Sequence, residues 1–337
     1  MISENTLFVL GAGASNPYGL PLGSELRTLI CDLGNGNNLA HTLSEAGVYS
    51  LDDIQKFSQT FRRSNVSSID EFLSRLPHFV DIGKALIGAI LCLNEDPNKI
   101  SSEETQDHWF RLLWNVLIDK THVGEDLIRN KVRFITFNYD RSLEFSLHEA
   151  TKETYDLSNK GSFQIWSQFQ IMHVYGCIGG TNFGDAYNIR PYSIQNSPAQ
   201  LIQAGNGINI IPEGRDNAKI FEEARDWFDW AKHVFILGFG FDRLNCERLG
   251  FSSVIDYRNR NSQPLPEIHA SVFGLTGKER DVAKECLIGS NCSWTTHYEM
   301  NLKTLRHAGL PRKLTNTTPQ SSASLIGSGA PIINQKH

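Results

Sequence analysis

In Leu7-Phe8-Val9-Leu10-Gly11-Ala12-Gly13-Ala14-Ser15 an uninterrupted apolar run stops abruptly in glycines. Such a run fits a strand buried on both faces, as in a parallel sheet. Beyond it, Leu22, Leu26, Leu29, Ile30 and Leu33 recur at helical spacing. Strand, glycine turn and helix in that order form the opening half of a dinucleotide-binding βα unit. The glycines would let backbone amides approach a pyrophosphate, whose charge the helix dipole favours. A tight turn without a ligand gives the same pattern, so the turn alone is weak evidence. A dehydrogenase is disfavoured, because Asn16 stands where the third glycine of that fingerprint belongs. Nor does an acidic residue end a second strand about 20 residues further on.

Working outward, the α/β pattern returns with strands expected at 132–137, 169–175, 207–211, 233–237 and 269–275. Helices are expected between several of them, notably at 217–231 and 278–287. Alternation of this kind implies a mostly parallel sheet covered on both faces. Between them, 39–129 contains no convincing strand. It shows a capping-box pattern at Ser68-Ile69-Asp70-Glu71 and helical patterns at 79–93 and 109–118. The expected architecture is therefore an α/β, Rossmann-like fold. Its domain comprises 1–38 and 130–310, with a helical insertion at 39–129 that packs on itself and lids the sheet. The segment 311–337, rich in Ser, Thr, Asn, Gly and Pro, reads as a flexible tail. No internal repeat is evident.

The 337 residues are 40% hydrophobic and 20% charged, ordinary for a globular chain. A net charge of −5 gives no general attraction to nucleic acid or anionic membranes, so neither is expected as a partner. The six cysteines are scattered and form no Cys-x-x-Cys pair, which points to thiols in a reducing compartment and to no metal. The amino terminus lacks a signal-peptide pattern and no apolar run is long enough for a membrane span. A cytoplasmic protein is expected.

Three further clusters lie at strand ends, where ligands sit in open α/β folds. In Thr136-Phe137-Asn138-Tyr139-Asp140, Asn138 suits a ribose hydroxyl or a water, and Asp140 suits either helix capping or catalytic support. In His173-Val174-Tyr175-Gly176, alternation on a strand puts His173 and Tyr175 on one face, beside the turn Gly176-Cys177-Ile178-Gly179-Gly180. A histidine in such a strand is a core residue or a base. Leu237-Gly238-Phe239-Gly240-Phe241-Asp242 repeats the strand-into-glycine pattern and offers either a second ligand loop or plain strand termination.

Taken together and in this order, the clusters resemble the silent-information-regulator-two superfamily: sirtuins and, more closely, the sirtuin-like NAD+ hydrolases of bacterial antiphage defence. The resemblance covers about 1–35 and 130–250. Gly11, Ala12, Gly13, Ala14 and Ser15, followed by Gly19-Leu20-Pro21, look like the family's first NAD loop. Asn138 matches its catalytic-pocket asparagine. Gly238, Phe239, Gly240, Phe241 and Asp242 look like the late glycine loop near the adenosine half. Two departures point away from protein deacylation: Leu22-Gly23-Ser24 follows Pro21 where deacylases carry Asp-Phe-Arg, and the cysteine pairs of their structural zinc are missing. The family's histidine stands directly before glycine. Here Tyr175 does, and His173 is assigned the role because the two share a strand face.

The resemblance implies an NAD+ glycohydrolase that releases nicotinamide and ADP-ribose, with NAD+ as substrate and Asn138 and His173 as catalytic residues. Asp140 and Tyr175 would support them. Because unchecked hydrolysis would empty a cell of NAD+, activation in trans is expected, by a partner protein, a nucleotide signal or assembly into a homo-oligomer or hetero-complex. Phage infection is the implied occasion. The alternative is a regulatory module that binds NAD+ or ADP-ribose without cleaving it.

Overall fold

Phe8 stacks between Phe134 and Phe235, with ring centroids 5.2 Å away on either side. This aromatic ladder marks the middle of the sheet and follows directly from strand register. The computed structural model describes residues 1–105, 108–179, 190–210, 218–272, 274–287 and 291–295. Gly180, Ile211 and the tail expected at 311–337 lie outside them. The strands are β1 (Thr6–Leu10), β2 (Val132–Thr136), β3 (Gln170–His173), β4 (His233–Leu237), β5 (Glu267–Ser271) and β6 (Asn291–Thr295). They form one sheet in the order β3-β2-β1-β4-β5-β6, and every pairing in it is parallel. That is the doubly wound Rossmann order, whose switch point falls between β1 and β4.

Helices cover both faces, as the sequence pattern implies. Alternation along the strands sends Phe8, Leu10, Phe134 and Phe235 to one face and Leu7, Val9, Ile135 and Ile236 to the other. The second face is covered by the helices Ala218–Trp230, Arg243–Leu249, Phe251–Arg260 and Gly277–Cys286. The insertion covers the first. Phe57, Phe61 and Phe72 pack on one another, and the same buried cluster runs on to Phe8 without a break. Each of these rings contributes roughly 1.5–3 kcal/mol by leaving water. Trp109 joins the insertion to the ladder, lying 6.4 Å from Phe8. Among the described residues, no helix is long and apolar enough to cross a membrane.

One strand expectation fails, and one strand stands where none was expected. The run at 207–211 is not a strand within the described residues: Ala204–Gly207 is a 3₁₀ turn, and Ile208 forms only an isolated antiparallel bridge to Gly176. Its backbone pairs with the turn after β3, where the Asn209 amide donates to the Tyr175 carbonyl at 2.9 Å, so it folds over that turn without joining the sheet. Conversely β6 was not expected, because Asn291-Cys292-Ser293-Trp294-Thr295 is an edge strand with no continuous apolar run.

Candidate functional site

The two glycine loops meet at the switch point. The Gly11 amide donates to the Leu237 carbonyl and the Gly13 amide to the Gly238 carbonyl, each at 3.0 Å. A Cβ on Gly11 would stand 2.5 Å from the Gly238 oxygen, and one on Gly238 would stand 2.0 Å from the Ala14 nitrogen. Each of these two glycines is therefore required by the backbone of the opposite loop. Gly13 N–H, one of the amides expected on a pyrophosphate, is engaged within the protein. The helix expected from the pattern at 22–33 is present, but it does not follow the glycines directly. Ala12–Ser15 is a single turn, and the long helix Gly23–Leu33 starts only beyond Pro21.

From the carboxyl end of β2, Asn138 reaches back to the first loop. Its Nδ2 donates to the Gly11 carbonyl and to Ser15 Oγ, both at 3.0 Å. The Ser15 hydroxyl in turn donates to Asp140 Oδ1 at 3.1 Å. Asp140 Oδ1 also accepts from the Ser142 amide at 3.0 Å, at the start of the Ser142–Tyr155 helix. Asp140 thus ties off the start of the helix and braces the first loop. Burial pushes its carboxyl above the ordinary value, against the lowering pull of the Ser142 and Ser15 hydrogen bonds. Asn138 Oδ1 is buried and has no hydrogen-bond partner among the described residues. A buried acceptor left unmatched calls for an explanation, and a ligand donor supplies one.

His173, the last residue of β3, faces the same cleft. Its Nδ1 lies 2.9 Å from the Asn138 carbonyl oxygen and its Nε2 lies 2.5 Å from Glu144 Oε1. Burial opposes a charge on the ring, yet the Glu144 carboxylate and these hydrogen bonds together hold His173 above the usual histidine value. The cleft is lined by Ser15, Asn138, Asp140, Glu144 and His173 on its polar side. Trp109 and Phe110 of the insertion line its apolar side. Trp109 is anchored there, because its Nε1 donates to the Ala14 carbonyl at 2.7 Å. The cavity amounts to about 10 Å³, roughly the space of one water and far under the ~300–1,000 Å³ usual for small-molecule pockets.

Several expected site residues lie elsewhere. Tyr175 does not share a face with His173, because β3 ends at His173 and the chain turns. Its ring packs on Phe137 and Phe221, and its hydroxyl donates to Asn245 Oδ1 and accepts from Arg248. Phe239 and Phe241, expected to meet NAD+, are instead buried in the core of the opposite face. Gly240 and Asp242 stay exposed on that loop, where Asp242 caps the Arg243–Leu249 helix by accepting from the Asn245 amide. Pro21 is half-buried and is not among the residues that line the cleft.

Glu144, Trp109 and Phe110 were not singled out from the sequence. Glu144 carried a signal: a carboxylate among Leu143, Leu147 and other buried positions of an amphipathic helix is rarely without a partner. A second buried ion group stands behind the site. Arg141 Nε and NH2 donate to the two oxygens of Glu95 at 2.9 and 2.8 Å, and Arg190 bonds the same carboxylate. Compared with known proteins, the chain matches no family model and no curated protein.

Proposed function

We propose that this chain is a sirtuin-like NAD+ glycohydrolase that cleaves NAD+ to nicotinamide and ADP-ribose. The observation that carries the reading is the convergence of Asn138 and His173 on one cleft, with the buried Asn138 Oδ1 lacking a partner. In the reaction, the bond between ribose C1′ and the nicotinamide nitrogen breaks, and its electron pair leaves with the neutral ring. A water oxygen then bonds to C1′ and gives up a proton to the Glu144–His173 pair. Asn138 Oδ1 would accept from a ribose hydroxyl or from that water, fixing the reacting end. The negative charge of Glu144 would favour the oxocarbenium-like transition state. Positioned proton transfer of this kind is worth roughly 10²–10⁴-fold.

The narrow cleft supports a resting enzyme, one that Trp109 and Phe110 keep closed until a trigger acts. A partner protein, a nucleotide signal or self-assembly would supply that trigger, with depletion of NAD+ during phage infection as the outcome. One observation favours the second reading, a module that binds NAD+ without cleaving it: both ring nitrogens of His173 already have partners.

Incubation with etheno-NAD+, with and without the products of neighbouring genes, separates the two. The enzyme releases fluorescence, and Asn138→Ala and His173→Ala each lower that release about 100-fold or more. Binding of NAD+ with no release under any of these conditions selects the module.

A further inference from the structure

Toward the amino-terminal end of the sheet, opposite the cleft, three side chains from two strands converge. β4 and β5 pair with His233 beside Glu267 and Phe235 beside His269. Residues two apart on a strand share a face, so His233, Glu267 and His269 all stand on the face that carries Phe235. The stacking of His269 on Phe235, with centroids 5.0 Å apart, agrees with that placement. One nitrogen or oxygen atom from each of the three lies within 4.8 Å of the other two.

The hydrogen bonds of His233 point to what belongs between them. Its Nε2 lies 2.8 Å from Glu4 Oε2, while its Nδ1 lies 3.3 Å from Glu267 Oε2. When a neutral imidazole donates from Nε2 to Glu4, its Nδ1 lone pair faces a carboxylate oxygen. A cation between the two converts that repulsion into coordination. The 3.3 Å separation matches the edge, roughly 3.3–3.4 Å, of a tetrahedron with zinc-type bonds. Glu4 then acts as the outer carboxylate that orients a metal-bound histidine, and Lys232 balances its charge from the other oxygen.

We propose that His233, Glu267 and His269 bind a divalent transition metal of the zinc type, with Glu4 orienting His233. Two imidazoles and one carboxylate select such an ion over Mg2+ or Ca2+, which take oxygen ligands. Glu267 is 56% exposed and leaves a path for entry. The bound ion would clip the segment before β1 to the starts of β4 and β5.

The test uses the full chain without an affinity tag, stripped with EDTA and titrated calorimetrically with Zn2+. One equivalent should bind, Tm should rise, and excess Mg2+ should not compete. His269→Gln and Glu267→Gln should each weaken binding at least about tenfold, and Glu4→Gln by roughly 10–100-fold. Circular dichroism of the three variants shows whether they remain folded. Co2+ in place of Zn2+ should give tetrahedral d–d bands without the near-ultraviolet thiolate band that cysteine ligation produces. Absence of Zn2+ binding, a thiolate band, or affinity unchanged in folded His269→Gln and Glu267→Gln overturns the site.

Discussion

His173 Nε2 lies 2.5 Å from Glu144 Oε1, while Nδ1 of the same ring lies 2.9 Å from the Asn138 carbonyl oxygen. A carbonyl oxygen only accepts, so Nδ1 carries a proton. A carboxylate also accepts, so the ring in this arrangement carries a second proton on Nε2. The two partners favour the charged, doubly protonated ring.

This clamp makes a pH prediction. The folded His173 pKa is raised above its unfolded value, which is about 6.5. Its contribution to stability is therefore complete below that value and is lost as pH rises through the folded pKa. The His173 ring signal in carbon-detected NMR should titrate above ~6.5. In Glu144→Gln the midpoint should fall, since the neutral amide no longer favours the charged ring. A midpoint unchanged by that substitution would show that Glu144 is not what holds the proton.

The Glu95–Arg141 pair makes a stability prediction. Both side chains are fully shielded from solvent, and Arg190 shares the carboxylate. Glu95→Ala leaves two buried guanidinium groups without their anion, and loss of a single partner from such a pair costs about 3–5 kcal/mol. Urea denaturation of the variant measures it. A loss under about 1 kcal/mol, the range of exposed pairs, would mean that water reaches the arginines.

Gly238 and Gly240 should behave oppositely, although they sit two residues apart. A Cβ at Gly238 meets backbone and the residue has φ +58°, whereas one at Gly240 meets nothing within 4 Å. Gly238→Ala should cost about 3 kcal/mol or prevent folding, while Gly240→Ala should stay within about 0.5 kcal/mol. Because nothing in the fold demands glycine at Gly240, weaker NAD+ binding by a fully stable Gly240→Ala would place the ligand across that loop. Equal binding would place it elsewhere.

The sequence is legible wherever burial on both faces leaves a continuous apolar run. β4 falls on the expected residues, 233–237, and β2 misses by one. The polar edge strand β6 was invisible for the same reason. Asn138 and His173 could be located because strand ends gather at the switch point. Tyr175 could not, since alternation fails once the chain leaves β3 at His173. Phe239 and Phe241 stand beside loop glycines yet face the core, a choice that sequence spacing does not record. Glu144 and the cluster around His233 depend on helix facing and strand register, which appear only when the elements are assembled.

The backbone contact between Gly11 and Gly238 gives the cleft a mechanical asymmetry. Behind the polar wall the two glycine loops are joined main chain to main chain, with no rotamer to turn and no side chain to withdraw. Across from it, Trp109 is held by a single indole hydrogen bond to Ala14. The cleft is thus a vise with one jaw cast into the frame. Whatever admits a substrate, or an inhibitor designed to shut it out, has purchase on the jaw carried by the Trp109–Leu117 helix.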